Sequence, residues 1–255
     1  MSKLKLPGLR EDRLVILPGG LAVLSAAMTE LGIEQLQVSE GALRQGVLYD
    51  LLGRHSHHDM REATVHEFMR RYHVDAAQAE RVGTLAARIH AQLAAEPAEQ
   101  DTLLLTFACA LHEIGISIAH AGYHKHSAYV LAQADMPGFS RDEQRRLSQL
   151  VLAHRGRLSK MEGVSLRSHR INDEAAMVLA LRLASLIYQS RGDIMAPPFG
   201  CKANDSGFML SLPKSWLDEH PLTEAALEAE AEEWLELDIR FEVRAVGEER
   251  ALALG

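Results

Sequence analysis

The stretch Leu-Leu-Leu-Thr-Phe-Ala-Cys-Ala-Leu-His-Glu-Ile at residues 103–114 is apolar nearly all the way round a helix. A helix with one apolar stripe lies on a surface, whereas one that is apolar all round has to be enclosed by other elements. The segment therefore predicts a central, buried helix in a mainly helical domain. Gly115 is expected to stop it, which places His112 and Glu113 at its C-terminal end, on a rigid base. The chain has 255 residues, 47% of them hydrophobic and 24% charged, enough to bury a sizeable core and ordinary for a folded soluble protein. No apolar run reaches the roughly 18–20 residues of a bilayer span, and no signal-peptide core opens the chain. The two cysteines, Cys109 and Cys201, make no disulfide framework, and a reducing cytoplasm is the compartment expected.

Residues 109–127 carry four histidines and a lysine but a single acid, Glu113, and no acid follows from Ile114 to Ala134, in a chain of net charge −8. Imidazoles and an ammonium with so few carboxylates nearby suit an anion. Histidine titrates near neutrality, so such a cluster is expected to become more cationic when a phosphate arrives. A second basic run extends from His154 to Arg170, where Arg155, Arg157, Lys160, Arg167 and Arg170 face one acid, Glu162. Alone it reads as a solvated loop; beside the histidines it reads as the second wall of an anion groove. Ser215 to Ile239 is the reverse, with nine acids and no Lys or Arg, and repels polyanions. No nucleic-acid partner is expected. His112 by itself reads as a buried histidine with its hydrogen bonds met. His124, Lys125 and His126 follow Gly122-Tyr123 and are expected to face solvent, and His55, His57 and His58 read as solvated linker residues.

Three regions differ along the chain. Up to about Gly53 the pattern is α/β: an apolar strand at Leu14–Leu17, a turn at Pro18-Gly19-Gly20, a helix from Leu21 to Leu31 ended by Gly32, a short strand at Gln35–Ser39, and a loop at Gly41–Gly46 leading into a helix. Two strands make no self-sufficient sheet, so this opening reads as the tail of a larger domain. Residues 59–192 are nearly all helix. Asp59-x-x-Glu62, Asp75-x-x-Gln78 and Ser140-x-x-Glu143 have the spacing of capping boxes, and Asn172 is a further N-cap candidate. From about Asp193 the pattern becomes α+β, with a strand at Phe208–Leu212, an acidic helix at Thr223–Trp234, and a strand in which Leu237, Ile239, Phe241, Val243 and Ala245 alternate with charged residues.

Leu111-His112-Glu113-Ile114-Gly115 resembles the core motif of HD-domain phosphohydrolases, helical proteins that hold a metal with a first His, an adjacent His-Asp pair and a distant Asp. Imidazoles and carboxylates in such a set hold a divalent ion that activates water. Here Gln78 stands where the first His belongs, Glu113 replaces the Asp of the pair, and Ser185 occupies the place of the distant Asp. That degenerate set, Gln78, His112, Glu113 and Ser185, implies an HD-like fold without a working metal site.

A wider resemblance rests on Arg10–Leu24, Val38–Asp50, Leu111–Gly115, Gly122-Tyr-His-Lys-His-Ser127, Pro137–Ser140, His154-Arg-Gly156 and Pro221-Leu-Thr223. These segments are similar to the C-terminal part of the exopolyphosphatase/guanosine pentaphosphate phosphatase family, with the greater likeness to bacterial exopolyphosphatases. The resemblance implies release of terminal phosphate from inorganic polyphosphate, with Mg2+, in an actin-like (ASKHA) two-domain cleft. The family's catalytic glutamate would lie in an N-terminal part that this chain does not contain, and Mg2+ is not expected to be held here. Gly19 and Gly20 match a glycine pair near that cleft, and Arg44 would orient on a phosphate oxygen or bond a helix end.

The expected architecture is mainly α: residues 1–53 the α/β end of an ASKHA core domain, 54–192 an HD-like helical domain, and 193–255 a small α+β domain. The expected role is polyphosphate binding by His124, Lys125, His126, His154, Arg155 and Arg157, together with homodimer formation, without catalysis. Two other classes fit the same residues. One is a metal-dependent HD-domain phosphohydrolase acting on a nucleotide, and the other a structural dimerisation module.

Overall fold

The computed structural model describes residues 16–36, 59–94, 96–160, 173–192, 195–204 and 207–247. The chain divides into two compact units, Met1–Tyr49 and Asp50–Gly255. In the first, the described element is a helix, α1 (Leu17–Glu30), none of whose residues is buried. It corrects the expected turn and the last residue of the expected strand, because Leu17 opens the helix and Pro18, Gly19 and Gly20 form its first turn. Proline suits that turn, since the N–H it lacks would have no partner there and its φ is already helical. Gln35 and Leu36 have no regular structure, while Leu14, Val15, residues 37–58 with Arg44 and the linker histidines, and residues 161–172 with Arg167, Arg170 and Asn172 lie outside the described residues.

The second unit is mostly helical, as expected. Its helices are α2 (Met60–Arg71), α3 (Ala76–Leu93), α4 (Glu99–Leu111), α5 (Tyr123–Gln133), α6 (Arg141–Ala153) and α7 (Asp173–Ile187), with 3-10 turns at Ile114–Ser117 and Leu158–Lys160. All three expected caps form, but one alone is a complete box. Ser140 and Glu143 bond each other's backbone at the start of α6. Asp59 accepts from the Arg61 N–H. Asp75 accepts from the Gln78 N–H, but the Gln78 amide does not reach back; it donates 2.9 Å to the carbonyl of Tyr188, beyond the end of α7.

The helix enclosed on all sides is α7, in which every residue from Ala175 to Ala184 is buried. The expectation had been α4. That helix is buried on one side, since Thr102 and Thr106, four residues apart and so on one face, are exposed. Their hydroxyls bond the carbonyls four residues back, Thr106 to Thr102 at 2.9 Å, which lets an otherwise apolar helix present them to water. It ends at Leu111, with His112 as its C-cap, and Gly115 falls in the 3-10 turn beyond.

A three-stranded sheet completes the unit. β1 (Gly200–Asn204) pairs antiparallel with β2 (Gly207–Pro213), and β2 pairs parallel with β3 (Arg240–Val246). The parallel pair requires a crossover, supplied by α8 (Lys214–Glu219) and α9 (Pro221–Leu235). The alternation read in the last strand fades along it, from Phe241 buried through Val243 half-buried to Ala245 exposed. Phe199, Phe208, Leu212 and Trp234 join the same apolar cluster as the helices.

Leu181 and Leu111 are fully buried on α7 and α4. Replacing either by alanine removes transfer energy and leaves a cavity, and is expected to cost about 2–5 kcal/mol. Thr106→Ala, on the exposed face, is expected to change stability by less than about 0.5 kcal/mol. Denaturant unfolding of the three variants checks both figures.

Candidate anion-binding site

The C-terminal end of α4, the first turn of α5, and the C-terminal end of α6 with its following loop meet at one corner. Gly115 lets the first two approach, because a Cβ there would stand 2.2 Å from the Tyr123 carbonyl oxygen and 2.5 Å from the Ser127 nitrogen. Ser127 Oγ instead accepts from the Gly115 N–H at 2.8 Å and donates to the His112 carbonyl at 2.9 Å. Gly156 admits the loop: its φ is +85°, a conformation L side chains rarely adopt, and an added Cβ would come within 3.2 Å of His124 Nε2.

Three imidazoles and a phenol pack ring against ring in this corner. The His154 ring centre lies 5.1 Å from that of His112, 5.4 Å from Tyr123 and 6.2 Å from His124. His112 Nδ1 donates to the Cys109 carbonyl at 2.7 Å, and His154 Nδ1 donates to the Val151 carbonyl at 2.6 Å. Each neutral ring then keeps a lone pair at Nε2. That of His154 accepts from the Tyr123 hydroxyl at 3.2 Å, and the Arg155 guanidinium lies over the Tyr123 ring at 5.5 Å.

Burial sets the charge state of the corner. It holds His154 well below the ordinary 6.5, and the adjacent His112 acts in the same direction. His112 is also lowered by burial, with Glu113 opposing. His124 is lowered by burial first and then by Lys125 and Arg155. Tyr123 is raised by burial, against a hydrogen bond from Arg155. The three rings are therefore neutral at pH 7 in the absence of a bound anion. Lys125, Arg155 and Arg157 are exposed and supply the positive charge.

The expected groove residues thus separate by position. Lys125, Arg155 and Arg157 face solvent, and His124 and His126 are half-buried rather than solvent-facing. His154 is buried, because as the C-cap of α6 its ring turns inward under the last turn of that helix. Gly19 and Gly20 have open space where a Cβ would stand.

In the degenerate HD-like set, Glu113 and Gln78 are held by other partners. The Glu113 carboxylate accepts from Arg191 at 2.6 Å, and the same guanidinium reaches Asp75, the N-cap of α3, at 3.3 Å. Gln78 accepts from Arg81 as well as donating to Tyr188. Ser185 Oγ is buried without a partner. Among the described residues no group of three or more His, Cys, Asp or Glu is placed to hold a metal ion. Arg191 and Arg182 went unnoticed in the sequence. Arg182 had a signal, as the one charged residue in the apolar run Ala175–Ile187.

Residues 60–231 match the family "Ppx/GppA phosphatase, domain III", and residues 1–55 match the Ppx/GppA phosphatase family. The chain is 36% identical over 240 residues to the guanosine-5'-triphosphate,3'-diphosphate pyrophosphatase of Pseudoalteromonas translucida (strain TAC 125), covering 93% of this chain and 48% of that protein. It is 35% identical over 231 residues to the protein of the same name in Pseudoalteromonas atlantica, covering 89% and 46%. The counterpart in Aeromonas hydrophila is 35% identical over 239 residues, covering 91% and 47%. The chain spans about half the length of these curated relatives. All three bear the pyrophosphatase name, where the sequence motifs had pointed to exopolyphosphatases.

Neutral buried histidines fix the sign of the pH dependence. In the unfolded chain each takes a proton as pH falls below about 6.5, and in the folded corner each resists it. Their contribution to stability is therefore present above that value and lost as pH falls below it. Thermal melting points are expected to decline below about pH 6.5. His154→Asn, whose amide can still donate to the Val151 carbonyl, is expected to flatten part of the decline. A profile level down to about pH 5 would show that the rings protonate freely in the fold.

Proposed function

Because the chain belongs to the Ppx/GppA phosphatase family, we propose that it is the polyanion-holding part of a phosphatase acting on phosphoanhydride chains, and that Lys125, Arg155 and Arg157 bind inorganic polyphosphate with His124 and His126 beside them. The observation that carries this reading is the Gly156 contact, which sets the arginine loop against the first turn of α5 and so puts cations from two segments on one exposed corner. Glu113, at the end of α4, is neutralised by Arg191. Helix α5 also begins at Gly122 without a side-chain cap, and free N–H groups at a helix start favour anions.

A second reading, guanosine pentaphosphate as the anion, is favoured by the printed names of the relatives. Both ligands present a run of phosphates, and the corner addresses that shared chemistry. In this reading hydrolysis and its Mg2+ belong to residues outside this chain, which acts in an ASKHA enzyme as an HD-like binding domain and as a homodimer contact. The metal-dependent HD alternative has no support at Glu113, where a guanidinium takes the carboxylate. No helix among the described residues is long and apolar enough to cross a membrane. Both cysteines are buried free thiols whose pKa burial pushes up to about 12, and a reducing cytoplasm is the compartment proposed.

Affinity for long polyphosphate is expected to fall steeply with added salt, since each phosphate contact releases counterions. Between about pH 7 and 8 it is expected to change little, because arginine and lysine rather than histidine carry the charge. Lys125→Ala with Arg155→Ala is expected to weaken binding about tenfold or more without unfolding the protein, each lost contact being worth on the order of 1 kcal/mol. Calorimetric titration with polyphosphate and with guanosine pentaphosphate tests both readings. Binding that ignores salt and both substitutions would remove the corner from the function.

A further inference from the structure

Arg182 sits in the middle of α7 and is 5% exposed. Its Nε and Nη2 fork onto the carboxylate of Glu230 on α9, with Nη2 at 2.7 Å from Oε2. Glu230 is itself 7% exposed, and its Oε1 also accepts from the fully buried Trp234 Nε1 at 2.7 Å. The remaining fork of the guanidinium leaves the ion pair altogether. Nη1 donates to the Ala153 carbonyl at 2.7 Å and to the Gly156 carbonyl at 3.1 Å.

Those carbonyls belong to the last residue of α6 and to the loop beyond it. The end of a helix leaves carbonyls without partners inside the helix, and here a side chain from another helix takes them. Two residues further on, the Leu158 N–H donates to Glu233 Oε2 at 3.1 Å and Ser159 Oγ donates to Glu236 at 2.5 Å. From Ala153 to Ser159 the loop is fastened at four points to α7 and to the acidic stretch of α9 and its end. Between the fastenings Arg155, its guanidinium over the Tyr123 ring, and Arg157 are both exposed.

A buried ion pair is not needed for stability. Well-packed side chains of similar volume often replace one at no cost, because desolvation offsets the attraction. Apolar replacements would fill the space but leave the Ala153 and Gly156 carbonyls unheld. What Arg182 does that an apolar residue does not is fix the loop.

We infer that Arg182, clamped by Glu230 and Trp234, is a positioning residue for the anion site: it holds the Ala153–Ser159 loop so that Arg155 and Arg157 meet the same polyanion as Lys125. This rests on the anion-binding reading above. It also gives the acidic C-terminal helix a part in that site, although its own charge repels the ligand.

The test combines Arg182→Met with Glu230→Gln, which removes both charges together and keeps an oxygen for Trp234. The variant is expected to melt within a few degrees of the wild type. Its affinity for polyphosphate is expected to fall about tenfold, and its salt dependence to become shallower as fewer phosphates are engaged at once. Trypsin cleavage after Arg155 and Arg157 is expected to speed up about tenfold as the loop opens locally. If the double variant does not fold, Arg182→Lys keeps the charge but gathers its donors on one nitrogen, without the planar fork that spans the carboxylate and both carbonyls, and the same changes are expected in reduced form. A folded variant with wild-type cleavage rates and wild-type polyphosphate affinity overturns the inference. If the wild type binds neither polyphosphate nor guanosine pentaphosphate, the anion-binding reading fails, and the trypsin rates still decide whether Arg182 fixes the loop.

Discussion

Enclosing α7 on every side is the constraint from which the rest follows. A helix with ten consecutive buried residues needs neighbours all round, and α3, α4, α6 and α9 provide them. Within that run stands Arg182, whose guanidinium cannot shed its charge at any ordinary pH. A cation so placed must be given acceptors. The acceptors come from α9 and from the end of α6, so one buried charge ties the sheet-bearing C-terminal segment and the arginine loop to the helical core. The apolar cluster, continuous from the helices into the strands, makes the same connection without direction; the hydrogen bonds of Arg182 give it direction.

Much of this fold was legible because its signals are local. Asp59, Asp75 and Ser140 each stand one residue before an amphipathic run, and each caps a helix. The choice between α4 and α7 as the central helix was not legible from apolar content alone. It turns on two threonines that satisfy themselves along their own helix and so tolerate water. Pro18-Gly19-Gly20 has the composition of a turn, yet proline and glycine are also tolerated in a first helical turn, where few backbone bonds are at stake. The residue that Gln78 bonds, Tyr188, is 110 positions away, and no spacing rule could announce it. β1, Gly-Cys-Lys-Ala-Asn, lacks alternation because its burial comes from two residues at one end.

The proximity of these side chains was more legible than their charge. Histidines 112, 124 and 154 do come together, with Tyr123 between them, as the two basic segments suggested. Whether an imidazole near pH 7 is charged depends on burial and neighbours, and both are tertiary. Placing His154 beside Arg155-Gly156-Arg157 made it look like part of a basic loop, whereas as a helix C-cap it turns inward while the arginines turn out. Sequence adjacency at a helix end says little about which way consecutive side chains face.

Neutral rings and fixed cations divide the work of the corner. His112 and His154 each donate at Nδ1 to the end of their own helix, and through its Nε2 His154 couples α6 to Tyr123 and through it to Arg155. That coupling would weaken if the ring took a proton at Nε2, because the acceptor would become a donor facing a hydroxyl already engaged by Arg155. Glu113 shows the same economy of charge. Its carboxylate, 3.9 Å from His112 Nε2, is held by a guanidinium carried on the chain. Such a cation neutralises the carboxylate but neither exchanges nor offers an open coordination position for water. In the proposed reading the corner holds a polyanion through its exposed lysine and arginines, with imidazoles as its frame and Arg191 neutralising Glu113.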